Sequence, residues 1–200
     1  MKRMNQYLIL ALICLFAAAS SAHAAEGTAM IREILRHPAP ESGKAGSTVT
    51  LDESLAFSIP SDWEPVPPEE EKNVCFLFRG TDGEGRSLRF GGLKPGNGAF
   101  GLTFSSYTDM KNQLDASRMS HVMARLSGVD LIFACTDDAV MGMLLTKKGD
   151  LCLLLFGSEK DSLYEIRQSE KLMNDLAFIW HSMHPLEGSA WQCFDEEIWK

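Results

Sequence analysis

Between Thr48 and Pro185 the apolar residues of this chain follow two periods, and their order along the sequence predicts the fold. Leu55, Phe57 and Ile59 alternate with Ser54, Ala56 and Ser58, a period of two that turns one side of a strand toward a core. Pro60 stops the run just before Trp63, and Pro65, Pro67 and Pro68 exclude regular structure after it. Val74 to Arg79 and Arg86 to Leu93 read as two strands. The loop between them, from Gly80 to Gly85, has glycines that permit positive φ, which predicts a hairpin.

A helical period follows a glycine-rich passage. Ser106 and Asp109 stand at capping-box spacing, and Met110, Leu114, Met119, Val122, Met123 and Leu126 lie mostly three to five residues apart, which predicts one helix ended by Gly128. Three strands come next, Asp130 to Thr136, Ala139 to Thr146 and Leu151 to Phe156. Their connections, at Asp137-Asp138 and from Lys147 to Asp150, are too short for parallel crossovers, so an antiparallel meander is expected. The second and third of these strands are apolar at odd and even positions alike, and both faces of the sheet therefore need cover. A second capping box, Ser162 with Glu165, opens a helix whose apolar positions from Leu163 to Met183 repeat until Pro185. The expected fold class is α+β: an antiparallel sheet of about six strands with helices on both faces, a three-layer α/β/α sandwich.

The N-terminus has a different pattern. Lys2 and Arg3 precede an apolar run from Tyr7 to Ala19, and Ala22-His23-Ala24 supplies the small residues of a signal-peptidase site, so cleavage near Ala24 and a mature start near Ala25 are expected. The run is too short to span a bilayer, and no later segment is long enough. Ile13 before Cys14 does not suit lipid attachment. A periplasmic location follows. The expected division is a signal peptide at 1–24, a lead-in and linker at 25–47 with an amphipathic piece from Met30 to Leu35, one α+β domain at 48–187, and a C-terminal tail at 188–200.

Charge narrows the partners. The chain has 19 basic and 27 acidic residues; cleavage would leave 17 against 27, a net charge of −10, which suits neither nucleic acid nor anionic lipid. Cys75, Cys135, Cys152 and Cys193 would remain, an even number for an oxidising compartment, with three pairings open. Cys135 and Cys152 fall on the first and third strands of the meander, with a strand between them, too far apart to bond to each other.

The strand Leu55-Ala56-Phe57-Ser58-Ile59-Pro60-Ser61-Asp62-Trp63, the strand block from Val129 to Phe156 and the helix from Ser162 to His184 follow one another in an order that resembles the Mog/PsbP-like fold, including exported bacterial DcrB-like proteins. The resemblance covers about residues 48 to 185. It implies a binding or scaffold domain rather than an enzyme, and it transfers no site residue.

Little catalytic chemistry stands out. Gly96 to Gly101 reads G-x-G-x-x-G, but Pro95 precedes it, an extended stretch follows, and no acid stands about 20 residues on, so no dinucleotide cofactor is expected. His37, His121, His181 and His184 with the methionines bring copper to mind. However, Met119, Met123, Met173 and Met183 fall on core stripes, and no metal site is assigned. Cys135 and Cys152 sit within apolar strands where burial silences a thiol, Asp137-Asp138 suits a turn, and no nucleophile elbow occurs. The tail is more suggestive: Trp191, Phe194, Ile198 and Trp199 stand among Asp195, Glu196 and Glu197 as candidate partner contacts, although a tail folded onto its own domain gives the same pattern. The sequence thus points to an exported, non-enzymatic protein acting on an envelope protein, immunity-like or chaperone-like, with a small-molecule or metal carrier as the alternative.

Overall fold

The computed structural model describes residues 24–37, 45–51, 53–67, 74–93, 104–136, 139–158, 161–187 and 191–199. The expected signal peptide up to His23, the acidic run at 69–71, the Gly96–Gly101 motif and Asp137-Asp138 lie outside the described residues.

A seven-stranded antiparallel sheet forms the centre. Its strands are β3 (Glu64–Pro65), β4 (Val74–Thr81), β5 (Ser87–Leu93), β6 (His121–Leu126), β7 (Val129–Cys135), β8 (Ala139–Leu145) and β9 (Leu151–Gly157), in the spatial order β3-β4-β5-β9-β8-β7-β6. The meander occupies β7, β8 and β9 in register, with Cys135 opposite Val140 and Leu144 opposite Cys152. A second sheet pairs β1 (Ala45–Leu51) and β2 (Leu55–Pro60) with a short β10 (His184–Pro185).

Helices lie on both sides of the large sheet. One face, carrying Phe90, Phe133, Leu154 and Phe156, receives α1 (Ala24–Arg36), α3 (Leu163–Arg167), α4 (Glu170–Ser182) and β2. The other, carrying Ile132, Met143, Leu151 and Leu153, receives α2 (Tyr107–Ala116) and a 3-10 turn at Glu196–Trp199. This is the α+β architecture with helices on both faces, and the sheet has seven strands rather than about six.

The extra strand corrects the expected long helix. The serine cap holds, since Ser106 accepts the Asp109 N–H at 3.2 Å. The helix nevertheless stops at Ala116, and Arg118 turns the chain with φ at 55°. His121 to Leu126 then pairs with β7, and Ser127 and Gly128, with φ at 50° and 84°, form the two-residue turn. Two successive positive φ values match the twist of a hairpin, so Gly128 closes a strand pair instead of a helix. The C-terminal helix also divides. Its capping box forms as expected, with the Ser162 N–H donating to Glu165 at 2.9 Å, but Ser169 caps a second helix at Leu172.

At its N-terminal end the domain extends beyond the expected boundary at residue 48. Gly27, Met30, Ile31 and Ile34 form the buried face of α1, and a Cβ at Gly27 would lie 2.7 Å from that of Cys135, so the helix backbone rests directly on β7. β1 starts at Ala45. Between the sheet and α4, Trp180 is 1% exposed and meets Phe57, Phe90, Phe133 and Phe156 edge-on, at centroid separations of 4.9 to 6.4 Å.

Candidate functional site

The tail singled out by its aromatic and acidic residues packs on its own domain. After β10 the chain passes from one side of the sheet to the other. Trp191 pairs with Thr146 and is buried with the α4 side of the core, while Ile198 is 2% exposed within the α2 side. The Gln192 N–H donates to the Leu145 carbonyl at 2.8 Å, and Phe194 sets its ring edge-on to Tyr107 at 4.8 Å. The side chain of Trp199 lies outside the described residues. Trp191 and Ile198 are thus buried, and Phe194 partly buried, in contacts within the chain, which their pattern also allowed.

A buried polar cluster holds this strap. Asp130 has no exposed surface, pairs with the half-exposed Arg125 at 2.5 and 2.6 Å, and accepts the Phe194 N–H at 2.6 Å. The Tyr107 hydroxyl donates to the Asp130 carbonyl and accepts the Leu145 N–H at 3.0 Å. Burial drives the Tyr107 pKa upward, so this hydroxyl keeps its proton. Sequence reasoning missed Asp130 and Tyr107, because neither carries a motif and only the tertiary contact pairs them with the tail.

Among the described residues, α2 is the one helix of more than a single turn on that sheet face. α2 has ten residues and spans about 15 Å. Seven strands about 4.8 Å apart span about 29 Å. Leu77, Met141 and Leu155, on β4, β8 and β9, are partly buried, and Met141 and Leu155 pack against the α2-side core.

On the opposite side α1 and α3 enclose an open cleft of about 480 Å³ lined by Ala29, Arg32, Glu33, Arg36, His37 and Arg167. Arg167 is held by Glu33 at 2.7 Å and Glu26 at 3.2 Å, which raise its pKa further.

The remaining candidates disperse. His121 packs its Nδ1 3.1 Å from the Met119 carbonyl, His184 is exposed, and among the described residues no three His, Cys, Asp or Glu side chains converge as metal ligands. Cys75 and Cys193 are exposed thiols; Cys135 and Cys152 are buried thiols, separated by β8 and by four positions along it. Burial, opposed by a weaker hydrogen bond with Thr28, pushes the Cys135 pKa up to about 12. Among the described residues no helix is long and apolar enough to cross a membrane.

No protein-family model and no curated protein matches the chain. Among solved structures it is similar to a crystal structure from Bacteroides thetaiotaomicron VPI-5482, at 11% identity and a TM-score of 0.39, over 72% of this chain and 50% of that one, so it spans half that protein's length. It is also similar to the solution structure of cyanobacterial PsbP (CyanoP) from Synechocystis sp. PCC 6803, at 14% identity and a TM-score of 0.40, over 76% of this chain and 99% of that one. At such identities the likeness concerns the backbone fold alone.

Proposed function

We propose that this chain is exported to the periplasm, processed near Ala24, and acts there without catalysis by binding an envelope protein, in an immunity-like or assembly-chaperone role. The observation that carries this reading is how the interior is filled. Trp180 and four phenylalanines occupy the space between sheet and α4, where a carrier of this architecture would keep an apolar cavity. Recognition is then left to the surface.

Capture of the tagged chain from the envelope fraction of its native host tests the reading. A protein recovered in stoichiometric amount, and re-forming the complex from purified components, is the expected result. A purified chain that brings down a small molecule or metal and no protein would overturn it. N-terminal sequencing of the same sample checks the export step, which an uncleaved form held in the membrane would refute.

The carrier alternative draws on the cleft lined by Arg32, Glu33, Arg36, His37 and Arg167; Arg167 is paired with Glu33 and Glu26, and Arg32 and Arg36 supply the charge that suits a small anion rather than an apolar ligand. Titration with inorganic phosphate, read at these residues by NMR, addresses it directly.

A further inference from the structure

α1 carries two stripes of different chemistry. Gly27, Met30, Ile31 and Ile34 are buried toward the sheet, whereas Ala29, Arg32, Glu33, Arg36 and, just past its end, His37 recur at helical spacing along one wall of the open cleft. Arg167 of α3 forms the other wall, held there by Glu33 at 2.7 Å and Glu26 at 3.2 Å. Arg32 and Arg36 are exposed, and among the described residues no carboxylate forms an ion pair with either. Like charges four residues apart on one helix destabilise it, a cost that an anion placed between them would remove. On a chain expected to have a mature charge of −10, this stripe is a local exception.

Tyr164 adds an aromatic ring to the same region. Among the described residues it is the one large apolar side chain that is exposed, at 55%, and it stands three residues before Arg167 on α3, so both side chains lie on one side of that helix. Tyrosine beside arginine is the composition that dominates binding at protein interfaces. The cleft is poorly suited to holding a free ion. Its unpaired arginines are exposed and its half-buried arginine is taken by the chain's own glutamates, so an ion between them would keep most of its contact with water. A carboxylate carried on a protein gains from the contacts around it.

We propose that the cleft between α1 and α3 receives an acidic segment of the partner protein, with two of its carboxylates on Arg32 and Arg36 and an apolar residue on Tyr164. The proposal rests on the protein-partner reading and names the surface and the chemistry of the partner. Arg32 and Arg36 lie one helical turn apart, about 5–6 Å between Cβ atoms, a spacing that two carboxylates one turn apart on a helix or two residues apart on an extended segment can match. Each guanidinium offers the fork that binds a carboxylate through two hydrogen bonds. Exposed ion pairs contribute little by themselves, and contact with Tyr164 supplies the apolar cover that the pairs need. A second copy docked two-fold on this stripe would set arginine against arginine, so charge selects a different protein.

The test places a photoreactive benzoylphenylalanine at Tyr164 of the full chain in its native host. Lys148, exposed in the turn before β9 and so at the far end of that strand from α3, is the control position. Expected are protein adducts from Tyr164 and not from Lys148, a cross-linked segment carrying at least two Asp or Glu, and a several-fold loss of adduct when Arg32→Glu and Arg36→Glu are combined. Changing those partner carboxylates to lysine should restore the yield. Circular dichroism checks that the reversed chain is folded, and Arg32→Gln with Arg36→Gln is the milder pair should it not be. Adducts from Lys148 alone would overturn this surface and leave the protein-partner reading standing. Adducts to a second copy, to lipid or to a basic segment, or a yield indifferent to the arginines, would overturn the proposal. So would saturable binding of inorganic phosphate by the purified chain at micromolar concentration, abolished by the same arginine pair, which would give the cleft to a small anion. Absence of adducts at both positions would count against this surface and the protein-partner reading together.

Discussion

The carboxylate of Asp130, on β7, accepts the backbone N–H of Phe194 at 2.6 Å across 64 residues of sequence, from a position with no exposed surface. Its two contacts with Arg125 orient it, so the tail is fastened to the same strand pair that α2 covers. Charge-assisted hydrogen bonds of this kind contribute about 1.5–3 kcal/mol. Asp130→Asn keeps one acceptor but loses the ion pair, and is expected to lower stability by about 1–2 kcal/mol. Native-state hydrogen exchange checks the mechanism: the Phe194 amide should exchange faster in the variant while amides of α4 change only with global stability.

Gly80 lies under the indole of Trp63, and a Cβ there would fall 2.1 Å from Cε2. That indole donates to Asp175 at 2.9 Å, and Asp175 also holds Lys171 at 2.7 Å. Gly80→Ala must push Trp63 off this bond, an overpacking cost of about 1–3 kcal/mol plus the lost hydrogen bond. Thermal unfolding of Gly80→Ala against Trp63→Phe measures it; an alanine variant as stable as the wild type would show that the ring is not held there.

Two adjacent leucines on β9 point to opposite faces of the sheet. Leu154 is 0% exposed, and Leu154→Asp should prevent folding, because an unpaired carboxylate in that core costs several kcal/mol. Leu155→Asp, at a partly buried position, should give a folded protein. Circular dichroism of the two variants decides the matter, and equal damage from both would mean that the two faces are equally covered.

Asp82 provides a pH signature. Burial opposes its charge, but the Arg86 side chain, the Glu84 N–H and the Ser169 hydroxyl outweigh it and hold the pKa at about 2. An unfolded aspartate titrates near pH ~3.9. A depressed folded-state pKa stabilises the protein fully above the unfolded value, and that contribution disappears as pH falls toward about 2. The stability difference between the wild type and Asp82→Asn should therefore be constant above about pH 5 and shrink between about pH 4 and 2. Urea unfolding at pH 6, 3 and 2 reads it; a difference unchanged down to pH 2 would remove Asp82 as its source.

The four thiols should divide into two classes. Cys75 and Cys193 are exposed, while Cys135 and Cys152 are buried and the Cys135 pKa is raised to about 12. A maleimide should label the first two in the folded protein and the other two only after denaturation. Peptide mapping of exported material should find no Cys135 to Cys152 bond.

The meander and the hairpin of β4 and β5 could be read from the sequence because their evidence is local: apolar runs, glycine turns and connections too short for crossovers leave one arrangement. The stretch from Met119 to Leu126 could not. Its apolar residues fit a helix at spacings of three and four, and they also fit a strand that needs one covered face. The outcome depended on Arg118 and on the Ser127-Gly128 turn, whose positive φ values are realised only because β7 is there to pair with. The tail showed the same ambiguity, since aromatic residues beside acids suit a partner's surface and the chain's own sheet equally well.

The sequence by itself determined which segments must be buried and on how many faces, because side-chain period and turn chemistry act within a few residues. Only the tertiary structure decided what covers each face. Asp130 with Phe194, Gly80 with Trp63 and Gly27 with Cys135 are contacts between residues distant in sequence. They are set by how closely whole layers approach, a quantity that no local pattern carries.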